Sequence, residues 1–461
     1  MSDETINWDK DKVQEYYEDL HRELTISELK DMLNLTIRCD DNNKVITYLD
    51  MLLTYTERDQ INLMYNAESS SGKSYIPLET AQYFPQEDVM TIGYCTPTAF
   101  FHEYGEWDED QHIKRIDLSR KIIIFLDMPH DKLLQRLRPV LSHDQKEILI
   151  KITDRSKVRG LATKNALIIG YPTVIYCSTR YSIDAQERTR SFMLSPEVKP
   201  EKIRQALELI SLSQSNHPEY KEYVENSTEK RILSARAQDV KDANIEEILI
   251  PETLREEMLS LFMEKHGDRL TPRLTRDFPR LFGLVKACAL LNLHQRERVN
   301  NHLVANATDM LAALTLYEDI SRANELGIPP EALNFYEQVV IPEAGGDGYA
   351  NKKGLSRRYY AVHHKTIGRK RLDATLDMLL ECGLIVDDKD PLDGRVTVYS
   401  PVQEIYTPRG VTKPEIYAPG GVTSLEKYTP EGVTAQQQDD ETPSIYKNIP
   451  EYDSIRTVED S

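Results

Sequence analysis

Residues Ile61-Asn-Leu-Met-Tyr-Asn66 run directly into Ala67-Glu68-Ser69-Ser70-Ser71-Gly72-Lys73-Ser74-Tyr75. The first six form an apolar run of strand length. The residues after them are mostly small and hydroxylated, and they end on Gly-Lys-Ser. Such a loop lets successive backbone N–H groups turn inward on one anion, and a helix starting at its end adds further unpaired N–H groups. In that geometry Lys73 neutralises β- and γ-phosphate oxygens, and the Ser74 hydroxyl ligates magnesium. The expected ligands are ATP and Mg2+. Ala67 stands where a loop of this kind usually has Gly. The plainer reading is a chance Gly-Lys-Ser in a serine-rich loop.

Further strand-like runs follow the loop. DVMTIGYCT (88–96) and RKIIIFLDM (120–128) come first, and the second is almost wholly apolar, as a central parallel strand covered on both faces should be. It ends on Asp127, where nucleotide hydrolysis needs an acid to hold magnesium's water shell. The residue that would polarise the attacking water is usually a Glu just after it, and here that place is taken by Met128. Asp131 is the nearest other acid downstream; in the plainer reading Asp127 only caps the next helix. NALIIGYPTVIYCST (165–179) reads as a hairpin or as one strand with its approach. Its terminal hydroxyls, Ser178 or Thr179, are placed to sense a γ-phosphate. Arg188 and Arg190 follow in Gln-Glu-Arg-Thr-Arg; in ring ATPases an arginine near this position reaches the neighbour's nucleotide.

Helical text separates these strands, which predicts a doubly wound α/β unit over residues 42–211. Before it, residues 1–41 read as a polar amphipathic helical segment. Residues 212–325 read as a linker and helical lid rich in Leu and Arg. Residues 326–402 carry helix, basic stretch, helix and two strands across an Asp-Gly turn, the order of a winged helix. The tail, 403–461, repeats Tyr-Thr-Pro-Arg-Gly-Val-Thr (406–412) as Tyr-Ala-Pro-Gly-Gly-Val-Thr (417–423) and Tyr-Thr-Pro-Glu-Gly-Val-Thr (428–434). Pro and Gly at fixed offsets cannot build helices, so the tail is expected to be a flexible linker or a docking segment for a protein partner.

The formal net charge of −19 argues against a surface that coats nucleic acid throughout. The basic charge is concentrated instead. Between Asn351 and Arg371 lie Lys352, Lys353, Arg357, Arg358, Lys365, Arg369, Lys370 and Arg371 with no carboxylate among them. A winged helix would use them to fix DNA phosphates, single-stranded or origin duplex. The five scattered cysteines form no CxxC pair, and no apolar run reaches membrane-spanning length. A cytoplasmic protein without a membrane partner is expected.

Together the SSSGKS loop, Tyr94-Cys-Thr-Pro-Thr-Ala99, the strand ending in Asp127, the hydroxyl-ended strand at Ser178 and Glu187-Arg188-Thr189-Arg190 resemble the AAA+ ATPases, especially the helicase-like ATPase domains of phage and mobile-element replication proteins. Arg273-Leu-Thr-Arg276-Asp-Phe-Pro-Arg280 resembles the lid of minichromosome-maintenance and origin-recognition ATPases. The resemblance covers roughly residues 42–320. It implies an α/β P-loop core with a parallel sheet and a helical lid whose Arg276 or Arg280 touches the nucleotide. It also implies a homo-oligomer, a hexamer being one form, acting as a replicative motor. The alternatives are an origin-binding initiator or loader that switches with ATP, and a regulatory ATPase that remodels proteins.

Overall fold

The computed structural model describes residues 20–97, 100–101, 105–109, 113–154, 162–179, 190–197, 199–267, 270–345 and 348–402. Arg188, Thr98, Ala99, residues 1–19 of the 1–41 segment and the repeat-bearing tail lie outside them. Helix α1 (Ile26–Leu33) begins at a capping box in which Thr25 and Glu28 satisfy each other's backbone N–H. Helix α2 (Asp41–Leu52) is buried on every side from Lys44 to Leu52. Strand β1 (Leu63–Asn66) then leads into the serine-rich loop and helix α3 (Tyr75–Ala81).

Next come β2 (Val89–Ile92), β3 (Glu106–Asp108), β4 (Ile113–Asp117), β5 (Ile122–Phe125), helix α4 (Asp131–Leu141), β6 (Glu147–Asp154), β7 (Ala162–Ile169), β8 (Thr173–Ser178) and β9 (Phe192–Leu194). The core sheet has the order β2-β5-β8-β1-β9, and every pairing in it is parallel. This is a mixed α/β architecture compatible with a Rossmann-like or P-loop core. Strand alternation divides the apolar residues between two layers. Leu63, Tyr65, Ile122, Ile124, Ile175, Phe192 and Leu194 face one cluster, while Met64, Ile123, Phe125, Val174, Tyr176 and Met193 face the other. The unbroken apolar text of β5 is thus explained by burial on both sides.

The second layer holds α4 and a four-stranded sheet of order β3-β4-β7-β6, which sequence patterning did not separate from the core. It also corrects the reading of 165–179. β7 and β8 do not pair; they belong to different sheets, and the chain changes sheet at Gly170, whose φ is +85°. A Cβ there would lie 2.6 Å from the Ser119 backbone nitrogen, so the turn admits only glycine without rearrangement.

The chain continues through α5 (Pro200–Ser215), α6 (His217–Asn226), α7 (Thr228–Ala243), β10 (Glu247–Leu249), α8 (Glu252–His266), α9 (Leu274–Leu291), β11 (Arg298–Val299), β12 (His302–Val304) and α10 (Ala307–Leu326). Helices α9 and α10 were expected in a lid. They share one buried cluster with α1, α2 and the β1 face of the core sheet, and Leu281, Leu284, Val285 and Leu316 belong to it. A final unit follows: α11 (Pro330–Phe335), which continues through a π-helical stretch, β13 (Ala350–Asn351), α12 (Lys352–His363), α13 (Arg369–Glu381), β14 (Ile385–Lys389) and β15 (Thr397–Pro401). Its small sheet has the order β13-β15-β14, all antiparallel, and Asp393-Gly394 lies in the connection of its hairpin as the sequence suggested. No helix among the described residues is long and apolar enough to cross a membrane.

The core sheet's outer edge is closed by one side chain. Fully buried Asn324 of α10 accepts from the Met193 N–H at 2.7 Å and donates to the Met193 carbonyl at 3.2 Å, which pairs the free edge of β9. Asn324→Ala should leave both backbone groups dry and unpaired, lowering stability by about 2–3 kcal/mol in urea unfolding. A loss below about 0.5 kcal/mol would show that this edge is hydrated.

Candidate functional site at the carboxyl edge of the core sheet

The strand register brings the separate motifs together. Met64, Tyr176 and Phe125 stand in one row of β1, β8 and β5, and Asn66 pairs with Ser178 two residues further on. Asp127 is likewise two residues beyond Phe125, so the loop, Ser178 and Asp127 occupy the same carboxyl edge, where ligands of open α/β sheets bind. The Ala67 N–H donates to the Ser178 carbonyl at 3.2 Å and ties the loop's entry to β8. Ser178 is fully buried and Thr179 is exposed.

Within the loop, Ser70 (φ +63°) and Gly72 (φ +95°) adopt left-handed backbone, and the chain reverses hand as anion-binding nests do. The Ser71 hydroxyl donates to the Glu68 carbonyl at 2.9 Å, and the Lys73 ammonium reaches the same oxygen at 3.4 Å. Lys73 is therefore folded back on the loop through a long contact that a phosphate oxygen could replace. Ser74 stands at the start of α3 but its hydroxyl makes no capping bond. Asp127 is exposed and accepts the Met128 N–H in a local turn at 2.8 Å, whereas the Met128 side chain is buried in the second layer. A hydroxyl and a carboxylate uncommitted to the core are the oxygen donors that Mg2+ takes, so the residues present fit that ion.

The loop is braced by residues that the sequence reading missed. The Lys202 ammonium, from the first turn of α5, donates to the Ser71 carbonyl at 3.1 Å and pairs with the buried carboxylate of Asp40. Asp40 in turn accepts from the Glu197 N–H at 2.7 Å. Burial pushes the Asp40 carboxyl up while Lys202 pulls it back. The Cys177 thiol donates to the Lys73 carbonyl at 3.4 Å, and burial pushes that thiol up to about 12, so it is a packing group and not a nucleophile. Tyr75 donates to the Thr36 carbonyl at 2.8 Å, and Thr36 also lines a small cleft of about 110 Å3 with Glu79, Tyr83, Tyr220 and Lys230.

Other expected site residues lie elsewhere. The Arg280 guanidinium covers the Phe192 ring at 5.3 Å and binds buried Asp277 at 2.7 Å. Phe192 pairs with Leu63, three residues before the end of β1, which puts Arg280 roughly 10 Å back along the strands from the loop. Arg280 is thus a core-facing ion-pair partner at the opposite edge of the sheet, away from the serine-rich loop of its own chain. Its neighbour Arg276 is exposed on the same helix. Arg190 donates to the Ser142 hydroxyl at 2.8 Å, also at the amino end of β9.

The basic stretch is divided. Lys352, Lys353, Arg357, Lys365, Arg369 and Lys370 are exposed, Arg358 is half-buried and Arg371 is buried. Lys352 pairs with Asp373 at 2.6 Å and Arg357 with Glu343 at 3.3 Å. Arg371 pairs with Glu331 and with Glu68 of the serine-rich loop, and Lys365 also pairs with Glu68. Arg371 is therefore withdrawn from the surface where a phosphate contact was expected, because its charge is spent inside the protein. Glu68 is a loop residue with a second role that its sequence position did not announce.

Lys202→Met would strand the Asp40 carboxylate in the interior, with an expected loss of about 3–5 kcal/mol in denaturant unfolding. Adding Asp40→Asn should recover much of that loss; no recovery would mean that Lys202 acts by packing. Neither a protein-family model nor a curated protein matches the chain, so its functional reading rests on this geometry and on the motifs.

Proposed function

We propose that the chain is a P-loop ATPase acting on DNA, most like a ring-forming AAA+ replication motor. The observation that carries the reading is the common edge shared by the Gly72-Lys73-Ser74 loop, Ser178 and Asp127, with β8 lying between β1 and β5. Nothing in local sequence requires those three segments to meet. Their meeting supports a site for a nucleoside triphosphate and magnesium.

In this reading Lys73 leaves the Glu68 carbonyl and binds the β- and γ-phosphate oxygens. Ser74 and Asp127 would hold Mg2+, which, when bound, offsets the charge that develops on those oxygens. Ser178, at the end of β8, would sense the γ-phosphate. Arg188 or Arg190 would serve a neighbouring subunit's site, as Arg190 points away from the loop of its own chain. The helix, short strand, helix, helix and hairpin of residues 330–401 support the winged-helix reading, with Lys353, Arg369 and Lys370 as exposed phosphate contacts.

One observation favours a second reading, an initiator or loader that switches with ATP. The residue after Asp127 is Met128, whose buried side chain supplies no carboxylate to polarise water. A slow ATPase marking DNA would fit that arrangement.

Measuring ATP turnover with and without single-stranded DNA separates the readings. Lys73→Ala and Asp127→Asn should each lower turnover by on the order of a hundredfold. Turnover stimulated by DNA supports the motor, and tight ATP binding with negligible turnover supports the switch. Absence of ATP binding, or turnover that survives Lys73→Ala, refutes both.

A further inference from the structure

The carboxylate of Glu68 joins two parts of the molecule that the sequence separates by about three hundred residues. It belongs to the loop that carries Lys73, and it pairs with Lys365 between α12 and α13 and with Arg371 in the first turn of α13. The main-chain oxygen of the same residue holds the Ser71 hydroxyl and the Lys73 ammonium. One residue therefore sets both the resting position of the loop lysine and the docking of the C-terminal unit.

Arg371 is buried, and burial pushes its guanidinium down to about 10. Taking away one partner of such a pair leaves an uncompensated charge, so release from Glu68 requires either a remaining carboxylate or a replacement anion. Both are at hand. Glu331 of α11 stays paired with Arg371, and the exposed Lys353, Arg369 and Lys370 belong to the same unit. Six of the eight basic residues between positions 351 and 371 are exposed, and no carboxylate lies in that stretch, the composition that attracts a polyphosphate.

We infer that Glu68 is an internal mimic of a nucleic-acid phosphate: its carboxylate occupies Lys365 and Arg371 in the resting chain, and a bound nucleic-acid strand displaces it, releasing the C-terminal unit from the phosphate loop. This rests on the reading of residues 67–74 as a nucleotide loop. The contact is an exchange of anions on two cations, with no covalent step. Because the displaced residue also holds Lys73, nucleic-acid binding and nucleotide binding are linked, and the linkage acts equally in both directions.

The test uses the full chain and a fluorescently labelled 30-nucleotide single-stranded DNA, read by anisotropy. Glu68→Gln should tighten DNA binding by roughly fivefold or more, because the internal competitor is gone. Asp373→Asn, which removes an acid that pairs with Lys352 and Arg369 on the same unit, measures the general effect of one less negative charge. Thermal unfolding of both variants checks that they fold. In the unaltered chain the DNA should also shift the affinity for a fluorescent ATP analogue, and Glu68→Gln should abolish that shift. Equal gains from Glu68→Gln and Asp373→Asn, or no DNA binding by any form, would overturn the inference. The DNA measurement needs no nucleotide, so the two ideas fail separately. Loss of ATP binding alone sinks the ATPase reading, whereas unchanged DNA affinity in Glu68→Gln with intact ATP turnover sinks the latch alone.

Discussion

A parallel sheet has two apolar faces, and each must be covered by chain that lies outside it in sequence. In this protein that requirement organises nearly everything else. All four residues of β1 are buried, as are all of β5, β8 and β9. One face is covered by α1, α2, α9 and α10, gathered from both sides of the sheet in sequence, and the other by α4 and the four-stranded sheet. Because every strand of the core points the same way, all the carboxyl ends fall on one edge. The faces are closed by packing, so that edge is where polar groups can gather.

The loop after β1 shows how polar groups are held there. Its left-handed residues, Ser70 and Gly72, reverse the hand of the backbone, but its position comes from neighbours distant in sequence. Lys202 braces the Ser71 carbonyl while neutralising Asp40, Cys177 holds the Lys73 carbonyl, and Glu68 reaches the C-terminal unit. Each brace answers a local electrostatic need. A buried carboxylate must be paired, and an irregular loop must place its carbonyls on donors.

Several arginines that the sequence marked as functional are occupied in the same way. Arg280 is held by Asp277 one turn away on its own helix and by the ring of Phe192. Arg371 is shared between Glu331 and Glu68. A guanidinium on a helix that packs into a core cannot stay unpaired, since desolvation would cost more than its packing contributes. Arginine frequency in a helical stretch therefore says little about which side chain meets a ligand. Burial of the helix decides that, and burial depends on what the rest of the chain places against it.

Some of this was legible in the sequence for a clear reason. Strand β1, the serine-rich loop, β5 with Asp127 at its end, β8 with Ser178 at its end and the Asp-Gly hairpin all rest on local signals: period-two or continuous apolar runs, small residues and turn chemistry. Those signals act over a few residues and survive in any fold the segments join. The sequence did not separate β7 from β8, because both are short apolar runs and only the turn at Gly170, pressed against Ser119, sends them to different sheets. It did not place α9 and α10 on the sheet face, because an amphipathic helix is equally apolar against a lid or a core. It did not find Lys202, Asp40 or the second role of Glu68, because an ion pair between distant residues leaves no periodic trace. Local chemistry was written in the chain; which charge meets which was decided only when both faces of the sheet were covered.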